Sequence, residues 1–215
     1  IRMMTLAPEV PGNLCVIKAF HKSIAFAMGH SDATYEEGLK AIEAGAVSIT
    51  HTGNAMRLFH QHQPALFGVA MPEHVRCEMI ADGLHLHPAT VTMYMKVKGG
   101  KKLLAISDSI SAAGMPDGNY MLGINPVVVK NGDALLRDKN VRAGSTLTLD
   151  RAFRNIMAFS GESMAHCVPP MGPNQAEMLG FGKTYGSLSK GYVADFNVVD
   201  EKGNVEATFI EGKRV

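Results

Sequence analysis

The chain has 215 residues, of which 46% are hydrophobic and 19% charged, a balance that describes a globular protein with a sizeable core and excludes a disordered one. A net charge of +1 with no basic run argues against a nucleic-acid or membrane-surface protein. Cys15, Cys77 and Cys167 lack CxxC spacing, which argues against a disulfide framework or zinc knuckle, and the apolar stretches stop well short of the ~20 residues that span a bilayer, so a reducing, cytoplasmic setting is expected.

The chain opens in a run that reads as a strand, Met3–Leu6, stopped by Pro8. Because Ile1 lies inside what looks like an element, the expectation is a piece of something longer. After Pro11-Gly12, residues 14–21 are weakly helical, and residues 24–28 form an apolar run ending in Gly29-His30-Ser31. Thr34 and Glu37 make a capping box that predicts a helix as far as Gly45. Residues 47–50 are the next strand, ending at His51, and a long loop over 52–64 carries His60 and His62.

Residues 76–81 read as a strand ending in Asp82-Gly83-Leu84-His85, and Pro88 opens a helix to about residue 97. Residues 102–106 form another strand, which delivers Asp108 at its end. The pattern then changes to short β segments at 120–122, 127–130 and 141–144, with Asn131-Gly132 as a hairpin turn. An amphipathic helix is expected over 147–159, with Leu149, Phe153, Ile156 and Met157 on one face, followed by a helix over 163–179 broken by prolines. Residues 183–215 alternate about Lys202-Gly203-Asn204, as a hairpin and edge strands of a small β domain do.

Four strands therefore end in His30, His51, His85 and Asp108, and helical segments separate them. Parallel strands joined that way share one rim, where α/β barrels carry their chemistry. Two imidazoles and a carboxylate there could hold a metal ion that polarises a carbonyl and acidifies water. His30 and His51 would be the ligands. Asp108 could take a proton from water and return it to a departing amine, and His85 could hold an oxyanion or a hydroxyl. Taken singly, each of these histidines is more often structural, and Asp108 could be no more than a turn or capping residue. The pairing of His30 with His51 favours metal. His60 and His87 read as loop histidines, and His21, His74 and His166 as surface residues.

With those residues in view, the sequence resembles the N-acetylglucosamine-6-phosphate deacetylases of the amidohydrolase superfamily. The matching motifs are LAPE at 6–9, GHSDAT at 29–34, THTGNAM at 50–56, IADGLH at 80–85, ISDS at 106–109, AGSTLT at 143–148 and GSLSKGYVADFNVVD at 186–200. The resemblance implies an α/β fold, a (β/α)₈ TIM barrel of which this chain holds the later strands, with the last strands of a small flanking β sandwich. Residues 1–182 would be the incomplete barrel and 183–215 the flanking strands. It implies a divalent metal, zinc first and iron second, held by His30 and His51, with Asp108 as catalytic acid and base. Asn54 and Ala55 map to a phosphate contact, His85 to substrate binding, and the segment Arg142, Ala143 and Gly144 to backbone contacts near the substrate. His62 stands where many relatives place an arginine that reaches the phosphate, and a neutral imidazole binds phosphate less well than a guanidinium fork. The implied partners are an amino-sugar phosphate and a second copy of the chain, with neither nucleic acid nor membrane. The family's metal-binding glutamate and a substrate-orienting histidine belong to a segment before LAPE, so the 215 residues alone are expected to be inactive. Two alternatives stay open: another amidohydrolase acting on a cyclic amide or nucleobase, and a non-catalytic fragment that binds sugar phosphate.

Overall fold

The structure, a computed structural model, describes residues 1–71, 74–139 and 141–215. The first half is built from βα units. Strand β1 (Met3–Leu6) leads to α1 (Asn13–Phe20), β2 (Ala25–Met28) to α2 (Tyr35–Ala44), and β3 (Ala46–Ile49) to α3 (Ala65–Ala70); β4 (Arg76–Met79) leads to α4 (Pro88–Lys98) and so to β5 (Leu103–Ala105). The five strands lie side by side in chain order, and every pairing is parallel. All their C-terminal ends therefore point the same way, as the spacing of the helical segments predicts.

Local sequence accounts for these boundaries. Thr34 accepts a hydrogen bond from the Glu37 amide while the Glu37 carboxylate accepts one from the Thr34 amide, so the capping box closes in both directions. Gly45 ends α2 at φ 116°, a conformation that costs a side chain but not a glycine. The helix α3 lies in a segment with no periodic signal in its residues.

The core is the layer between sheet and helices, filled by Phe26, Met28, Ile49, Met79, Leu103 and Tyr94, all essentially inaccessible to solvent. The Tyr94 hydroxyl is not wasted there, because it donates to the Thr52 carbonyl at 2.9 Å. Between β2 and the loop after it, Gly29 lies so close to β3 that a Cβ would sit 2.6 Å from Thr50 Cβ. Gly29→Ala is expected to destabilise the chain by about 1–3 kcal/mol through overpacking, read as a lowered midpoint of denaturant unfolding. An unchanged midpoint would show that the strands yield there.

Two smaller antiparallel sheets complete the molecule. Strands β6 (Gly118–Leu122), β7 (Asn125–Lys130) and β8 (Asp133–Leu136) form a meander whose second turn is Asn131-Gly132, at φ 52° and 78°. Residues 141–144, expected as a strand, make only an isolated bridge between Leu135 and Arg142. Helix α5 (Leu149–Ser160) buries Phe153 and Ile156 but leaves Leu149 exposed. The proline-broken segment forms α6 (Met164–Cys167), a 3₁₀ turn at Pro169–Met171 and α7 (Pro173–Met178). Strands β9 (Phe196–Val199), β10 (Val205–Ile210) and β11 (Lys213–Arg214) make the last sheet, where Phe196 and Phe209 stack with centroids 4.6 Å apart.

Strand β5 borders the five-stranded sheet on one side, and its outward carbonyls are occupied. The side-chain amide of Asn174 donates to Leu103 O at 2.7 Å, and that of Gln175 donates to Ala105 O at 3.0 Å. Strand β1 borders the other side and, among the described residues, pairs only with β2. No helix among the described residues is long and apolar enough to cross a membrane.

Candidate active site

The strand ends β2, β3 and β5 deliver His30, His51 and Asp108, and all three residues have left-handed backbone, with φ 48°, 30° and 50°. Non-glycine residues occupy that region at a cost, and they persist where the surroundings fix them. Here each strand turns sharply at its end. Ser31 and Asp32 hold the turn after His30 through Glu9, whose carboxylate accepts from the Ser31 hydroxyl at 2.6 Å and the Asp32 amide at 2.7 Å. This gives the LAPE motif a structural part in placing His30. Asp108 is held by its carbonyl, which accepts from the Ser145 amide at 2.7 Å. Gly144 packs against that carbonyl so closely that a Cβ would lie 2.8 Å from it.

The three residues face one cleft of about 570 Å³. His30, His51, Asn54, Ala55, His85, Asp108, Arg142 and Gly144 all line it, together with Asp133, Leu135 and Val141 from the meander side. Ala143 is turned into the small apolar cluster with Val127 and Ala134 rather than toward the cleft. His62 lies elsewhere, in a separate recess with Tyr35 and Arg57, so the structure does not bring it to the other site residues. His87 caps α4, accepting from the Ala89 amide.

The imidazoles meet nitrogen to nitrogen. His30 Nε2 and His51 Nε2 are 2.9 Å apart, with the rings edge to face. His51 is buried, and that burial, followed by the neighbouring His30, lowers its pKa against the opposing pull of Asp108. It is therefore neutral near pH 7, the form in which imidazole binds metals. Glu78 stands behind His51. Its Oε2 accepts from the His51 amide at 3.3 Å, and its Oε1 is buried with no partner among the described residues. Desolvation pushes its carboxyl up to about 7; the His51 amide opposes this and the charge of Asp108 adds to it.

The two Nε2 atoms are close enough together to turn toward one ion, and imidazole nitrogen is an ordinary zinc donor. Among the described residues, however, no group of three or more His, Cys, Asp and Glu side chains is arranged to hold a metal. The described residues thus offer two nitrogen donors at this place. Zinc followed by calorimetry is expected to bind at this pair, and His30→Ala or His51→Ala to weaken it by at least about tenfold. Equal affinity in both variants would place the ion elsewhere.

On the substrate side, Asn54 uses its backbone amide and one side-chain hydrogen on the His51 carbonyl, which leaves one amide hydrogen for a ligand. Arg142 is gripped at both Nε and Nη2 by Asp133, at 2.9 Å each, so its charge at the cleft is partly neutralised. Glu78, Asp82 and Asp133 belong to this neighbourhood although no motif reading assigns them a role. The one signal for Glu78 is a lone acid inside the apolar run CEMIA.

Comparisons with known proteins agree with the motifs. The Amidohydrolase family matches residues 13–215. The N-acetylglucosamine-6-phosphate deacetylase of Lysinibacillus sphaericus is 35% identical over 215 residues, covering 99% of this chain and 55% of that protein. The crystal structure of the enzyme of that name from Thermotoga maritima superposes with a TM-score of 0.94 at 34% identity, covering 99% of this chain and 58% of the other. A variant of the Mycobacterium smegmatis enzyme in complex with N-acetyl-D-glucosamine-6-phosphate superposes with a TM-score of 0.92 at 33% identity, covering 100% and 57%. The chain spans about half the length of the curated relatives it matches.

Proposed function

From one premise, that this chain belongs to the amidohydrolase family as a homologue of N-acetylglucosamine-6-phosphate deacetylases over about half their length, we propose a function. It carries the proton-transfer and sugar-binding part of a metal-dependent deacetylase that converts N-acetylglucosamine 6-phosphate to glucosamine 6-phosphate and acetate. The observation that supports this most is the convergence of the His30–His51 nitrogen pair and Asp108 on one cleft.

In this proposal His30 and His51 hold a divalent ion, zinc before iron. When bound, such an ion polarises the acetamide carbonyl and makes water acidic near neutral pH. Asp108 accepts a proton from the attacking water as its oxygen bonds to the acetamide carbon. It then gives that proton to the amine nitrogen as the carbon–nitrogen bond breaks. Asn54 and Ala55 face the phosphate, His85 holds the sugar, and Arg142 and Gly144 close the opposite wall. Residues 1–182 form the hydrolase part and residues 183–215 the strands of a flanking β unit. The working form is a cytoplasmic homodimer.

The test is an acetate-release assay paired with metal analysis on the full protein that carries this chain. Acetate released from N-acetylglucosamine 6-phosphate by protein holding zinc or iron is the expected result. Turnover confined to a cyclic amide would replace the substrate assignment. Neither metal nor turnover would make the chain a binding fragment.

A further inference from the structure

Asp82 follows β4 and closes a tight turn on His85. One carboxylate oxygen, Oδ1, accepts from the backbone amides of Leu84 at 2.8 Å and His85 at 2.7 Å, and the other, Oδ2, lies 2.7 Å from His85 Nδ1. Both side chains are buried, at 4% exposure for Asp82 and 7% for His85. Burial works to raise the Asp82 carboxyl, but the three donors outweigh it and hold it below the usual carboxylate range. An ionised carboxylate has no hydrogen to give, so the hydrogen between Oδ2 and Nδ1 belongs to the imidazole. The His85 ring also lines the cleft that holds His30, His51 and Asp108.

We propose that Asp82 is a positioning residue that locks His85 in the tautomer protonated at Nδ1, leaving Nε2 as the nitrogen that meets a ligand in the cleft. The proposal stands on these contacts alone and not on the deacetylase reading.

Asp82→Asn tests the lock with little change in shape. The two backbone amides still require an acceptor, so the carboxamide oxygen must take the place of Oδ1 and the NH₂ group that of Oδ2. The NH₂ group then donates to Nδ1, and the ring proton is forced onto Nε2.

The measurement is a ¹⁵N–¹H correlation spectrum of the histidine-labelled chain at about pH 8, above the ordinary imidazole range, with the His85 signals identified by their loss in His85→Gln. A proton on Nδ1 in the unchanged chain and on Nε2 in Asp82→Asn is expected. A ring protonated at Nε2, or at both nitrogens, in the unchanged chain would overturn the proposal, and so would a variant whose tautomer does not move. Should Asp82→Asn fail to fold, the spectrum of the unchanged chain decides alone. Because the readout is independent of turnover, absence of deacetylase activity would leave the tautomer result standing.

Discussion

Asp108→Asn is expected to lower acetate release from N-acetylglucosamine 6-phosphate by about 10²–10⁴-fold in the full protein that carries this chain, the usual contribution of a positioned acid–base group. The substitution removes the ability to take a proton and little else. Asparagine has nearly the same outline, and it tolerates the left-handed backbone, φ 50°, that residue 108 adopts. The contacts that hold the turn, from the Ser145 amide to the Asp108 carbonyl and from Gly144 against it, are made by the backbone and survive. Fold and zinc content should therefore match the unchanged protein while kcat falls. A loss of less than tenfold at equal metal content would take Asp108 out of the proton transfer.

Glu78 should impose a large pH dependence on stability. Its carboxyl is pushed up from 4.5 to about 7 in the folded chain, chiefly by burial, so the folded form keeps a proton that the unfolded form has already lost between those values. The stability tied to this group is fully present below about pH 4.5, declines as the pH rises, and is gone above about 7. The decline amounts to roughly 3 kcal/mol, since a tenfold change in a proton-binding constant corresponds to about 1.4 kcal/mol. Urea unfolding of the metal-free chain, held so by a chelator, should show it, and Glu78→Gln should flatten the profile by that amount. Equal slopes in the two proteins over that window would mean that Glu78 is ionised in the fold at neutral pH.

Much of the βα framework is legible because its punctuation is local. Thr34, Glu37 and Gly45 fix both ends of α2 within the helix itself, and Asn131-Gly132 sets the β7–β8 turn through the backbone angles those two residues favour. The strand-end residues His30, His51, His85 and Asp108 can be placed on one rim because parallel strands with helical crossovers leave little freedom. What escapes such a reading depends on contacts between distant segments. Glu78 matters because β3 lies beside β4 and puts the His51 amide against its carboxylate, and a single acid in an apolar run does not announce such a neighbour. His62 is expected near the ligand on the strength of a motif position alone, yet the loop carries it to the recess beside Tyr35 and Arg57. Asp133 and Val141 reach the cleft through the meander, whose placement over the strand ends no local pattern encodes.

The side-chain amides of Asn174 and Gln175 give the parallel sheet a handedness of access. A stray extended polypeptide drifting along the β5 flank meets carbonyls that are already spoken for, whereas the β1 flank presents main chain paired on one side only among the described residues.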